Sequence, residues 1–363
     1  MKERLTRRRL NRAALLRQSL HERAELSVEA MVERLAGVHA RHREPPYIGL
    51  WNRVDGFRRE HLAALLDLRA VVRASLHRGA RYLVTAEDYL WLRPTLEPML
   101  RARRERVLGR RTTCVDGGQL AAAARFLLAG RVMPRPELGR ALAARWPGRD
   151  PVALARAARM LLPVLHPPPS GLWGRSGPAA FVLAEEWLGR AVDRRPHPAR
   201  LVTRHLAAFG PATVEDVQAW SGASGLREVV DDLRPSLREY RGEDGEELLD
   251  VPEAPLPPED LPAPVRFLAA GDDAVLAHAG GSRLSGTERA RHPPGEPALL
   301  VDGLVRGGWA LTREVDGRAV LTVRLSAPLP RRQRAEAAEE GAALLRFAAG
   351  DADRHDIRFT AAG

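Results

Sequence analysis

Between residues 37 and 51 the chain reads Gly-Val-His-Ala-Arg-His-Arg-Glu-Pro-Pro-Tyr-Ile-Gly-Leu-Trp, which sets His39, Arg41, His42 and Arg43 just before a Pro-Pro step. Imidazole titrates near neutrality and can take a proton from water, whereas guanidinium stays charged and grips phosphate or carboxylate through a fork of N–H donors. Proline cannot continue a helix, so a helix is expected to end here and to present these side chains to a ligand. Glu44 and Asp55 are the nearest carboxylates downstream, able either to orient His39 or to serve as surface ion-pair partners. The same run also has a plainer reading as a solvated basic surface.

Several elements must hold these residues. Apolar spacing predicts helices over 11–20, 27–35 and 61–68, and β-prone runs over 71–76 and 81–84 flank His77-Arg78-Gly79 as a hairpin. Two further stretches repeat this order. One passes from an apolar helix end through Gly130 and Pro134 into an acidic helix start, then to a β-prone 161–165. The other passes through Gly210-Pro211, with Thr213 and Asp216 at capping-box spacing, to strands around the turn-rich 242–245. Helix, turn, helix, hairpin is the order of a winged helix. Beyond the proline-rich 252–264, short apolar segments at 274–277, 298–301, 308–311 and 319–325 alternate with glycine-rich turns and precede a last helix near 334–348. The expected architecture is α+β: three tandem winged-helix units (1–115, 116–195 and 196–258) and a β-rich, barrel-like unit (259–363).

Composition narrows the partners. A formal net charge of +11, carried almost wholly by arginine because Lys2 is the only lysine, attracts polyanions, of which nucleic acid is the commonest. Arg103 and Arg106 share a face if 101–110 is helical, and with His42, Arg43, His77 and Arg78 they form the candidate DNA-contacting set. A single cysteine, Cys114, excludes a Cys-ligated iron–sulfur cluster or multi-Cys zinc site, so no metal or cofactor is expected. With Lys2 alone, no interior amine can form a Schiff base. Neither a membrane span nor a secretory signal is read from the sequence, and a cytoplasmic monomer is expected.

The chain resembles the AlkZ/YcaQ family of winged-helix DNA glycosylases. That family reads Gly-Leu-Gln-apolar-Gln, or Gln-apolar-Asp, where this chain has Gly37-Val38-His39-Ala40-Arg41, followed by a segment like Tyr47-Ile48-Gly49-Leu50-Trp51. Arg78-Gly79, Gly171-Leu172-Trp173-Gly174, Gly210-Pro211-Ala212-Thr213, Trp220-Ser221-Gly222, Val301-Asp302-Gly303 and Trp309 follow in the family's order. The sequence departs from the pattern at the Gln pair, replaced by His39 and Arg41. It departs again at Ala80 and Tyr82, where a hairpin Thr and His are usual, and at 269–272, which has Ala-Ala-Gly-Asp for Pro-x-Phe-Asp.

The resemblance implies a curved body around a DNA-sized channel and a monofunctional DNA glycosylase acting on duplex DNA that carries a damaged purine, the N7-adducts of guanine above all. Some family members provide self-resistance to DNA-alkylating natural products. In that setting the polar pair holds the attacking water. His39 is then assigned the water and its proton, and Arg41 a phosphate or lesion substituent, because a guanidinium cannot act as a base. The competing reading of the altered motif is a non-catalytic winged-helix DNA-binding or regulatory protein. A small-molecule enzyme is disfavoured, since neither a nucleophile elbow, a P-loop nor a His-Glu-x-x-His motif occurs.

Overall fold

Helix starts fall where short polar side chains can accept an orphan N–H: Thr6, Ser27, Thr85, Asp116, Asp150 and Thr213 each cap the helix that follows. At Thr213 the capping box is reciprocal, the Asp216 carboxylate accepting the Thr213 N–H at 3.0 Å. The computed structural model describes residues 2–279, 283–285, 293 and 295–361. Its architecture is mixed α+β, with helices arranged around three sheets.

Sets of helices followed by paired strands recur along the chain. Helices Val28–Arg34 and Arg59–Asp67 lead to strands Val71–Ser75 and Arg81–Thr85, paired antiparallel around a 3-10 turn at His77–Gly79, as the hairpin expectation required. Helices Gly117–Leu128, Arg135–Arg145 and Pro151–Leu161 lead to strands Val164–Leu165 and Ala180–Leu183. Helices Pro198–Phe209, Val214–Ser221 and Leu226–Leu233 lead to the hairpin Arg238–Gly242 and Glu247–Asp250. The first two sets share one six-stranded sheet, since Ala74 pairs with Leu165. Strand Glu3–Leu5 adds in parallel to Arg238–Gly242, and Arg17 of the following helix forms a buried bidentate pair with Asp250 at 2.6 and 2.7 Å.

The C-terminal region corrects two expectations. Its five strands, Arg266–Leu268, Ala298–Val301, Leu304–Arg313, Arg318–Leu325 and Arg354–Ala361, form an open sheet rather than a barrel. The reason is the helix Arg331–Ala349: Ala337, Leu344, Leu345 and Ala348 cover Phe267, Leu299, Leu321 and Val323, so the apolar face is buried without closure. The 274–277 run, expected as sheet, belongs instead to a short helix, Asp273–Leu276, because Asp272 accepts the Ala274 N–H and turns the chain.

Candidate active site and nucleic-acid interface

His39 does not lie at a helix end. Ala36 (φ +54°) and Gly37 (φ +108°) turn the chain out of the helix Val28–Arg34, and Val38–His39 becomes a two-residue strand opposite Leu83 and Tyr82. A side chain at Gly37 would meet Val84 at 2.9 Å as well as strain the backbone. The Pro-Pro step opens the helix Pro45–Trp51 rather than closing one, since a proline in the first turn loses no helical hydrogen bond. Between strand and helix, Arg73 and Arg81 hold the 40–41 backbone. Arg73 donates to the carbonyl of Ala40 at 2.6 and 3.1 Å and to Ser170 Oγ at 2.6 Å, and Arg81 donates to the carbonyl of Arg41.

The carboxylates that face His39 come from more than two hundred residues downstream in sequence. Asp272 is fixed by Arg53 at 2.7 and 2.8 Å, a buried bidentate pair that bolts the C-terminal region to the helix Pro45–Trp51. Asp273 is buried, and its Oδ1 accepts from Arg78 Nη2 at 2.8 Å and from Tyr82 Oη at 3.0 Å. The His39 ring meets Tyr82 edge to face at 5.5 Å and lies over Gly271, where a Cβ would sit 2.4 Å from Nδ1. Gly271 is at φ +75°, so both its backbone and its lack of a side chain are required. Burial lowers the His39 pKa; Asp273 opposes that shift, Arg78 adds to it, and the backbone of Ala270 and the carboxylate of Asp272 oppose it to a smaller extent. The ring is therefore neutral at physiological pH. Glu44 and Asp55 are both exposed and are not the partners of His39.

His39, Asp272 and Asp273 line a small cleft of about 20 Å³ with Gln18, Gly49 and Arg53. Three buried polar atoms of this lining, His39 Nδ1, Arg53 Nε and Asp273 Oδ2, have no hydrogen-bond partner within the protein.

The sequence-derived DNA-contacting set divides. Arg41 and His42 are exposed, and Arg43 is half-buried, donating to the carbonyl of Gly177. Arg106 is exposed, and Arg103 lies half-buried across Gly79. His77, by contrast, is fully buried, its ring 3.9 Å from that of Trp220, and the Arg78 guanidinium is engaged by Asp273, Tyr82 and the Trp220 carbonyl. The hairpin tip packs inward on the helix Val214–Ser221, so neither side chain is presented as a wing contact.

Arginines outside that set complete a basin. Arg135 and Arg156 lie close enough to Arg81 and Arg159 to lower the pKa of both, and neither these four nor Arg41, Arg43, Arg73, Arg103 and Arg106 forms an ion pair with a carboxylate among the described residues. Arg159 is pushed down to about 10, first by burial and then by Arg81, Arg156, Arg135 and Arg103, and its Nε lacks a partner. Arg73 is pushed down to about 9 by burial, Arg81, Arg43 and Arg159. Strand alternation links the two sites: Tyr82 faces His39 and Asp273, and its neighbour Arg81 faces the basin. A legible signal existed, since no acidic residue occurs from 151 to 184, around Arg156 and Arg159.

The DNA glycosylase AlkZ-like family matches residues 32–347. The chain belongs to this family. It is therefore a DNA glycosylase, a hydrolase of N-glycosyl bonds. The fold is similar to that of Streptomyces sahachiroi DNA glycosylase AlkZ, with a TM-score of 0.74 and 22% identity over 99% of this chain and 100% of that one. Comparison with curated proteins gives no match. Among the described residues of this AlkZ-like glycosylase, no helix is long and apolar enough to cross a membrane.

Proposed function

We propose that this glycosylase releases N7-alkylated or bulkier adducted purines from duplex DNA, with water as the nucleophile. What supports the reading is the carboxylate-free arginine basin beside the His39 cleft, which couples a site for backbone phosphates to a site for one water. The helix-and-strand sets would act as tandem winged helices that bring the duplex to the basin. The damaged nucleotide must leave the stack before its C1′ can be reached.

An N7-alkylated purine is cationic, so it departs as a neutral base and no general acid is needed. The protein has then to stabilise a cationic sugar and supply water. Neutral His39 accepts the proton of that water, while Arg41, exposed at the cleft's basin side, contacts phosphate or the lesion's substituent. Lys2 is the only lysine, and it is paired with Glu239 and Glu247, whose hydrogen bonds raise its pKa and keep the amine protonated. No interior lysine is therefore placed to form an imine with the abasic sugar.

Base release from duplexes carrying N7-methylguanine and a series of bulkier N7-adducts tests the proposal. Release of at least one adducted purine, leaving an intact abasic strand, is expected. A preference for bulky adducts would fit self-resistance to a DNA-alkylating natural product, and no release from any member of the series would refute the substrate class.

A further inference from the structure

Of the side chains that depart from the family's motifs, two face one another: His39 stands in the water-holding motif and Tyr82 on the hairpin, with ring centroids 5.5 Å apart. Tyr82 in turn donates to Asp273. Burial and Asp273 both raise the Tyr82 pKa, so the phenol keeps its proton and remains a donor. Arg78 donates to the same Asp273 oxygen. Two donors thus fix Oδ1 and leave Oδ2 buried and unpartnered, in the cleft that also contains the unpartnered His39 Nδ1. Satisfied buried polar groups are the rule, and a site whose free groups are two acceptors and one donor, Arg53 Nε–H, calls for a molecule that gives two hydrogens and can also accept one, as water does. A cleft of about 20 Å³ admits one water.

We propose that Asp273 is a catalytic residue of the glycosylase reaction: its Oδ2 and His39 Nδ1 each accept one hydrogen of the attacking water. With both hydrogens so held, the lone pairs of the water point away from the two acceptors, toward C1′. The C1′–N9 bond breaks and its electron pair neutralises the departing N7-alkylated purine. The C1′–O bond forms, and one water proton passes to His39 Nδ1. Asp273 keeps its negative charge, which stabilises first the cationic sugar and then the imidazolium. Arg41 has no part in this pair, so the role held in the family by the second residue of the motif passes to a carboxylate from the C-terminal region. The proposal rests on the water-dependent reading given above.

Gly49 provides a test that spares the fold. A Cβ there would lie 3.7 Å from Arg53 Nη1, 3.8 Å from Val38 Cγ1 and 4.0 Å from Asp272 Oδ2, ordinary contacts, all with residues lining the cleft. Gly49→Ala sits in a helix, where alanine is favoured, and adds a methyl to the lining of a cleft of only about 20 Å³. Single-turnover base release should fall at least ~10-fold in Gly49→Ala, with the melting temperature unchanged or raised. It should fall ~10²–10⁴-fold in Asp273→Asn, with duplex affinity within about threefold of wild type in both. A crystal structure of the protein alone should show a water bonded to His39 Nδ1 and Asp273 Oδ2. Wild-type rates in folded Gly49→Ala overturn the proposal even if Asp273→Asn fails to fold, as does a crystal structure without that water. Inactivity of the wild type on every adduct refutes the underlying reading instead, a result distinguishable from loss confined to the variants.

Discussion

Replacing Arg159 by methionine should make the free protein more stable and its grip on DNA weaker. The guanidinium is charged at pH 7 in both folded and unfolded chains, but in the folded one its pKa is pushed down from the ordinary arginine value to about 10. That depression corresponds to about 3 kcal/mol acting against the folded state. The sign follows from linkage: a base whose folded pKa is lowered carries its full penalty at every pH below the folded value, here about 10, and is relieved only as pH rises from there toward the ordinary arginine value. Methionine keeps much of the apolar stem and removes the charge. Some packing is lost, so a net gain of about 1–3 kcal/mol is expected, which is roughly 1–4 °C in melting temperature for a chain of this size. Duplex binding by the wild type should show log affinity falling against log salt with a slope of roughly −4 to −7, if about five to eight phosphates are engaged, and the variant's slope should be shallower by about 0.9. Melting curves and salt titrations read both effects. A variant that melts lower and keeps the wild-type slope would show that the basin does not bind phosphates.

Other substitutions separate the remaining roles. His39→Ala should lower single-turnover base release by about 10²–10⁴-fold with little change in duplex affinity, whereas Arg41→Ala should mainly weaken binding or shift adduct preference; full activity of His39→Ala on every substrate would refute its role. Borohydride should trap no covalent protein–DNA adduct, and strand scission should need alkali or an abasic-site nuclease, since Lys2 lies in an ion-pair cluster with Glu239 and Glu247; a trapped adduct would contradict this. His77, His166, His205 and His278 are all buried, without partners on either ring nitrogen, and all are shifted below 6.5 chiefly by burial, His205 to about 3. Neutral in both states above pH 6.5, they leave stability unaffected there. Below it the unfolded chain takes up protons that the folded one refuses, so stability falls by about 1.4 kcal/mol per pH unit for each histidine, until the folded pKa is reached. Acid unfolding followed by circular dichroism should shift to lower pH in His205→Leu, and an unmoved midpoint would refute the assignment.

Local chemistry was legible in the sequence wherever a short-range rule had no competitor. The Thr213–Asp216 capping box, the hairpin around His77–Gly79 and the long C-terminal helix form as their residues dictate, because caps, turns and apolar periodicity act within a few residues. The Pro-Pro step had two meanings, ending one helix or opening another. The choice lay with Ala36 and Gly37, whose positive φ angles end the preceding helix first. His39 was visible as a titratable group, but its partners were not. Glu44 and Asp55 are near it in sequence and exposed, while Asp272 and Asp273 reach it through the packing of the C-terminal region on the helix that follows His39, where Ile48 joins the C-terminal core and Arg53 pairs with Asp272. The arginine basin has the same origin. The lack of acidic residues over 151–184 marks where carboxylates are missing, but only the shared six-stranded sheet sets Arg81 beside Arg156 and Arg159. Charge and capping are properties of residues along a chain. Which charges face one another is fixed by burial of apolar faces, which is non-directional and draws residues together without regard to their separation in sequence.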